Sequence, residues 1–216
     1  MNRLEEISNK SKKEILEKIK NAHLEASKLP SIDPIEHIKT TQDKLQELKE
    51  KMSANKYIVE ESTKDELEDK INQIVANYGY SKMIYPNNLD INLEKIHAEQ
   101  KICFNQKIED LRSEVFHSEF SIINARLGVS SHGVALVLSS KEQPRMLSLA
   151  PMLCIVLLKK ENIVKSLSEA LNTVKKEHEI LPSNILFIAG PSRTADIELI
   201  TVFGVHGSQQ VHIILY

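Results

Sequence analysis

Three charged side chains stand among apolar and glycine residues in the last 27 residues of this chain. The segment reads Gly190-Pro191-Ser192-Arg193-Thr194-Ala195-Asp196-Ile197-Glu198, then Leu199 to Phe203, then Gly204-Val205-His206-Gly207. An apolar run from Val211 to Tyr216 ends it. Arg193, Asp196 and Glu198 are its only formal charges, and charged groups are seldom buried unless paired. They either hold one another in a polar network or line a site. Arg193 can fork onto a carboxylate or phosphate. Ser192 and Thr194 offer hydroxyls, and either can cap a short helix beginning at Ala195 whose free amides would face an anion. Gly190 lets the backbone approach a ligand or take a positive φ. Together these residues form a candidate anion cradle.

Other readings stand beside it. Arg193 paired with Asp196 or Glu198 makes an internal salt bridge that fixes the loop. Gly204 to Gly207 makes a tight turn into the last strand, with His206 bonded to backbone. Asp196, Glu198 and His206 at loose spacing make a weak metal set. A Ser192–His206–Asp196 triad lacks the Gly-x-Ser-x-Gly elbow that would present the serine. His132 beside Gly133 reads as a turn residue, and Cys154 inside Leu-Cys-Ile-Val-Leu reads as core.

These residues need elements to hold them. The chain has 216 residues, enough to bury a real core. Glycine is absent before Gly79, and five of the six glycines fall between Gly128 and Gly207. The division predicted is a helical arm over residues 1–56 and an α/β domain over 57–216. In the arm, Leu4, Ile7, Ile15, Ile19 and Ala22 form one helical stripe, broken near Ser11. Pro30 and Pro34 end that pattern, and a second helix is expected from about Pro34 to Met52 on Ile35, Ile38, Leu45 and Leu48.

Beyond the arm, strands and helices alternate. Tyr57–Val59 is a short strand, and Thr63-Lys-Asp-Glu66 reads as a capping box for a helix carrying Leu67, Ile71, Ile74 and Val75. Further strands are expected at Met83–Tyr85, Ile102–Phe104, Ser121–Val129, Val134–Leu138, Leu153–Leu158, Ile185–Ala189 and Val211–Leu215. A helix is expected over Asn162–His178, with Ile163, Leu167, Leu171 and Val174 on one face. The pattern predicts a mixed, largely parallel sheet flanked by helices. The loop from Gly190 to Thr194 then sits at the carboxyl end of a strand, where open α/β sheets bind ligands.

A net charge of −2 gives no basic excess for nucleic acid or a membrane surface. Cys103 and Cys154 are the only cysteines and form no Cys-x-x-Cys pair, which argues against an iron–sulfur cluster or structural zinc held by this chain alone. No apolar run reaches the roughly 20 residues a membrane helix needs, and the reading is a soluble cytoplasmic protein.

The Gly190–Glu198 block followed by Gly204–Gly207 resembles the signature of the lactate utilization protein C family, the LUD domain. Thirteen of the eighteen positions from Gly190 to Gly207 belong to the two blocks. A weaker likeness runs upstream from Leu127 to Val164, through the Leu-Ser-Leu-Ala-Pro of Leu147–Pro151. The resemblance implies an α/β fold similar to the sugar-isomerase and CoA-transferase group. It also implies a part in oxidising L-lactate to pyruvate alongside two iron–sulfur proteins. The first expectation for this chain is that it holds an organic acid or phosphate-bearing cofactor at the Ser192–Thr194 loop, with Gly133, Gly190, Ser192, Arg193, Thr194, Asp196, Glu198 and His206 as the candidate ligand-binding residues. The alternatives are a stand-alone enzyme on a phosphorylated or CoA-linked molecule, and an assembly subunit. Three departures stand out: Ser131-His132-Gly133-Val134 replaces a Glu-Thr-Gly-Thr-like turn, Cys154 replaces a histidine, and Ser208 replaces a proline. They imply a different ligand or a structural role.

Overall fold

The buried apolar runs form two sheets. A computed structural model of the chain describes residues 3–24, 35, 38–195, 201–203 and 207–216. It divides into two compact units, residues 1–36 and 37–216. The first holds α1 (Arg3–Leu24), a helix that runs through Ser11 without a break. Its Ile15, Leu16 and Ile19 are exposed.

The second unit begins twenty residues earlier than composition suggested. Its first helix, α2 (Lys44–Ala54), starts where the Asp43 side chain accepts from the Gln46 amide at 3.0 Å, not at Pro34. Leu48 and Met52 of this helix are fully buried. The next elements are β1 (Ile58–Glu61), α3 (Leu67–Tyr78), β2 (Lys82–Pro86), β3 (Gln100–Phe104), α4 (Ile108–His117) and β4 (Phe120–Asn124). The capping box at Thr63 is not made as expected. The Thr63 hydroxyl donates to the Glu66 carboxylate at 3.0 Å, and the helix begins beyond both.

The run predicted as one strand from Ser121 to Val129 is two strands in different sheets. β4 ends at Asn124, and β5 (Leu127–Val129) opens the second sheet. Then follow β6 (Val134–Leu138), β7 (Leu153–Leu158), β8 (Ile163–Val164), α5 (Leu167–Glu177), β9 (Ile185–Ile188), β10 (Arg193–Ala195), β11 (Thr201–Phe203) and β12 (Gln210–Leu215). The helix expected from Asn162 therefore starts at Leu167, and Ile163 pairs in a strand instead. Its cap is Ser166, which accepts from the Glu169 amide at 3.0 Å while the Glu169 carboxylate accepts from the Lys165 amide at 2.8 Å.

The larger sheet has the order β1-β12-β7-β4-β2-β3, and every neighbouring pair is parallel. The smaller has the order β8-β5-β6-β9, parallel only at β5–β8. β10 and β11 form a separate antiparallel pair. One face of the large sheet packs Ile84, Ile123, Val156 and Ile213 with Leu48 and Met52 of α2, Val115 of α4, and Ala135 and Val137 of β6. The other packs Ile122, Ile155 and Ile214 with Leu67, Ile71 and Ile74 of α3. A third cluster joins Leu127, Val129 and Leu136 of the small sheet to Ala170 and Val174 of α5. No described helix is long and apolar enough to cross a membrane.

Candidate functional site

Strand β9 delivers the chain to Gly190, which holds φ at +88°. The loop after it turns back against the start of β12, and the Ser192 amide donates to the Ser208 carbonyl at 3.0 Å. Gly207 lies against Ser192, because a Cβ on Gly207 would stand 3.1 Å from the Ser192 Cβ. Ser208 is anchored in turn: its hydroxyl donates to the Pro151 carbonyl at 2.8 Å. The two blocks of the signature thus meet, around a cavity of about 240 Å³. Ser148, Cys154, Gly190, Ser192, Gly207 and Ser208 line it, with Leu186, Ile188 and Val211 supplying apolar wall.

The cavity's place in the sheet differs from the expectation. β9 belongs to the small sheet, antiparallel to β6. The loop beyond it reaches the amino-terminal ends of β7 and β12, where Cys154 pairs in register with Val211. Nor does a helix begin at Ala195: Arg193–Ala195 is strand β10, paired with Thr201–Phe203. The amides there are not the free first turn of a helix, so a helix-terminus anion site at Ala195 is ruled out.

Arg193 is exposed, and its Nη2 donates to the Ala189 carbonyl at 2.9 Å. Ala189 lines the cavity, so the guanidinium is moored to the cavity's own loop. Thr194 is exposed on β10, opposite Val202. Asp196, Glu198 and His206 lie outside the described residues, and with them the salt-bridge, metal and triad readings.

Gly133 sits elsewhere, in the turn from Ser130 that joins β5 to β6. Its φ is +61°, and a Cβ would stand 2.4 Å from the backbone carbon of Lys51. The close approach at this glycine is to α2. The turn is bound to that helix throughout. Asn55 Nδ2 donates to the carbonyls of His132 and Gly133 at 2.9 and 3.0 Å, and Lys51 Nζ donates to the Ser131 carbonyl at 2.9 Å. The Ser130 hydroxyl donates to Glu47 Oε2 at 2.7 Å, and Glu47 pairs with Lys51 at 2.8 Å. Burial alone would push the Glu47 carboxyl up. The bonds from Lys51 and Ser130 outweigh it and hold the group below its ordinary value, so it is an ion inside the fold.

Cys154 and Ser208, two of the three departures from the signature, both line the cavity. Burial pushes the Cys154 thiol up to about 12, which keeps it protonated and unreactive at neutral pH. Among the described lining residues the polar side chains are hydroxyls and this thiol. The arrangement can bind and orient a small molecule through hydroxyls and backbone. Sequence reasoning did not place Ser148 here, and only the signature's spacing pointed to Ser208.

An open parallel sheet with a second, mixed sheet packed on one face defines an α/β class of fold. More narrowly, the chain belongs to the LUD domain family, whose model matches residues 45–216. Among curated relatives, the uncharacterized protein NMB1437 of Neisseria meningitidis is 30% identical over 53% of this chain and 50% of its own length. The uncharacterized protein YkgG of Escherichia coli is 39% identical over 44% of this chain and 42% of its own. Lactate utilization protein C of Anoxybacillus flavithermus is 28% identical over 68% of each chain. The matched region thus spans half or less of the first two relatives. A DUF162 family protein from Deinococcus radiodurans has a similar fold, with a TM-score of 0.57 at 15% identity over 80% of this chain and 96% of its own.

Proposed function

We propose that this chain is a component of an L-lactate utilization system in the cytoplasm. In this reading it works with iron–sulfur partner proteins in oxidising L-lactate to pyruvate, and holds a small organic acid or phosphate-bearing cofactor group at the Ser192–Thr194 loop. The observation that carries the reading is the meeting of both signature blocks, through Gly190, Ser192 and Gly207, around one small cavity. Relatives named lactate utilization protein C support the pathway.

The test is Arg193→Ala in a strain that depends on this protein for growth on L-lactate. The side chain is exposed and its described bond goes to its own loop, so the thermal midpoint should move by no more than about 2 °C. Growth on L-lactate should be lost. A folded variant that grows normally defeats the cradle. A variant that unfolds shows that Arg193 holds the loop together instead.

A second reading, a subunit that assembles partners, is favoured by α1. Three large apolar side chains on one stretch of that helix are exposed, with Ile15 at 57%. Replacing Ile15, Leu16 and Ile19 by Gln should abolish co-purification of the iron–sulfur partners if α1 docks them, and leave it unchanged if it does not.

A further inference from the structure

The large sheet changes direction between β2 and β4. From β2 the chain moves outward to β3; from β4 it moves the opposite way, to β7 and β12. Adjacent parallel strands whose connections leave in opposite directions open a crevice beyond their carboxyl ends, and open α/β sheets bind small molecules there. The signature loop is not at this place, because it meets the amino-terminal ends of β7 and β12. What lies here is a cleft of about 590 Å³, lined by Asn88, Asn124, Arg126, Ser140, Gln143 and Glu177 among others.

The cleft is built by mutual hydrogen bonds. Gln143 is buried, and its side chain grips the end of β4 twice: Oε1 accepts from the Asn124 amide at 2.8 Å and Nε2 donates to the Asn124 carbonyl at 2.9 Å. Asn124 Nδ2 reaches across to the Asn88 carbonyl beyond β2, at 3.1 Å. The segment over the cleft is tied down as well. The Ser140 hydroxyl accepts the amides of Glu142 and Gln143, and the Glu142 carbonyl accepts the Asn87 amide at 3.0 Å. Both strand ends and the covering segment are therefore fixed before any ligand arrives, which lowers the ordering cost of binding.

The charges select the ligand. The Arg126 guanidinium forks onto the Glu177 carboxylate, with Nε donating to Oε2 at 2.9 Å and Nη2 to Oε1. Its charge is already matched, and Glu142 adds a negative one at the rim. Among the described lining residues no unmatched Arg or Lys is left to hold an anion; His178 also lines the cleft, and its ring nitrogens add further hydrogen-bonding groups. Side-chain amides, a hydroxyl and the guanidinium–carboxylate fork are instead paired donors and acceptors, the chemistry that recognises neighbouring hydroxyls. We propose that this cleft is a second binding site, taking a neutral, hydroxyl-rich small molecule of sugar size.

Nitrogen–proton correlation spectra of the full chain test it. Titration with D-glucose or sorbitol should shift the backbone amides of Asn124, Arg126 and Gln143 saturably. L-lactate and inorganic phosphate over the same range should leave them in place. Asn88→Trp and, separately, Glu142→Trp put bulk at two exposed rim positions. Each should weaken the neutral probes roughly tenfold with the rest of the spectrum native. The proposal is overturned if neither neutral probe shifts these amides, if an anion shifts them more, or if the response survives both substitutions.

Discussion

Gly190 is held at φ +88°, and a Cβ there would stand 2.1 Å from the Asn55 carbonyl oxygen. Two costs therefore fall on Gly190→Ala, a left-handed backbone and a clash with the end of α2, together about 2–4 kcal/mol. Urea denaturation should show the loss as a lower midpoint with an unchanged slope. That a glycine was needed here was legible in the sequence. That the demand comes from a helix far earlier in the chain was not, because nothing in the Gly190–Thr194 loop encodes what packs against it. His212 was not legible either. It sits buried in an apolar strand, its Nε2 is 2.8 Å from the Tyr78 hydroxyl, and its Nδ1 has no hydrogen-bond partner among the described residues. Burial drops its pKa to about 4, against a smaller opposing pull from Glu60. The unfolded chain binds this proton near the ordinary value of about 6.5, so the stability is present above that pH and is lost as pH falls towards 4. The loss is about 3 kcal/mol over that window. His212→Phe should flatten that part of the stability–pH profile measured by denaturation.

At the scale of elements, α2 ties the fold together. It carries Leu48 and Met52 into the core, and its Glu47, Lys51 and Asn55 fasten the Ser130–Gly133 turn. Composition set this helix in an arm because its sequence is rich in Lys and Glu. Two buried side chains and one buried carboxylate are enough to reverse that assignment, and a charge count does not see them. Each large apolar side chain removed from such a core costs about 2–5 kcal/mol, against a total stability of about 5–15 kcal/mol. A chain beginning at His37 should therefore keep a cooperative thermal transition, and one beginning at Tyr57 should show none by calorimetry. A cooperative transition in the shorter chain would mean that α2 is dispensable. Helix boundaries were misplaced for a related reason. The stripe over Asn162–His178 has helical period, yet Ile163 is taken by pairing with Gly128 of β5, and the true start is marked by Ser166-Leu-Ser-Glu169.

Over the whole molecule, β12 joins what the chain order keeps apart. β1 is the first strand of the α/β unit, and its described partner is β12, the last. β12 also pairs along its full length with β7. The alternating apolar runs announced a largely parallel sheet, but strand order is a long-range property that no local pattern carries. Because β1 reaches the sheet through the end of the chain, the large sheet cannot be completed until nearly all of the unit is gathered, and such non-local pairing slows folding. It also places β12 among the last segments to open. In native-state hydrogen exchange the amides of Val211 to Leu215 should exchange only through global unfolding, with the free energy obtained from denaturant. Those of β3, on the sheet's other edge, should exchange earlier, through local opening. A chain ending at Gly207 removes β12, leaves β1 without its described partner, and should give no cooperative transition. If β12 amides exchange well below the global free energy, the strand is a late addition to an already stable sheet, and the truncated chain should then fold.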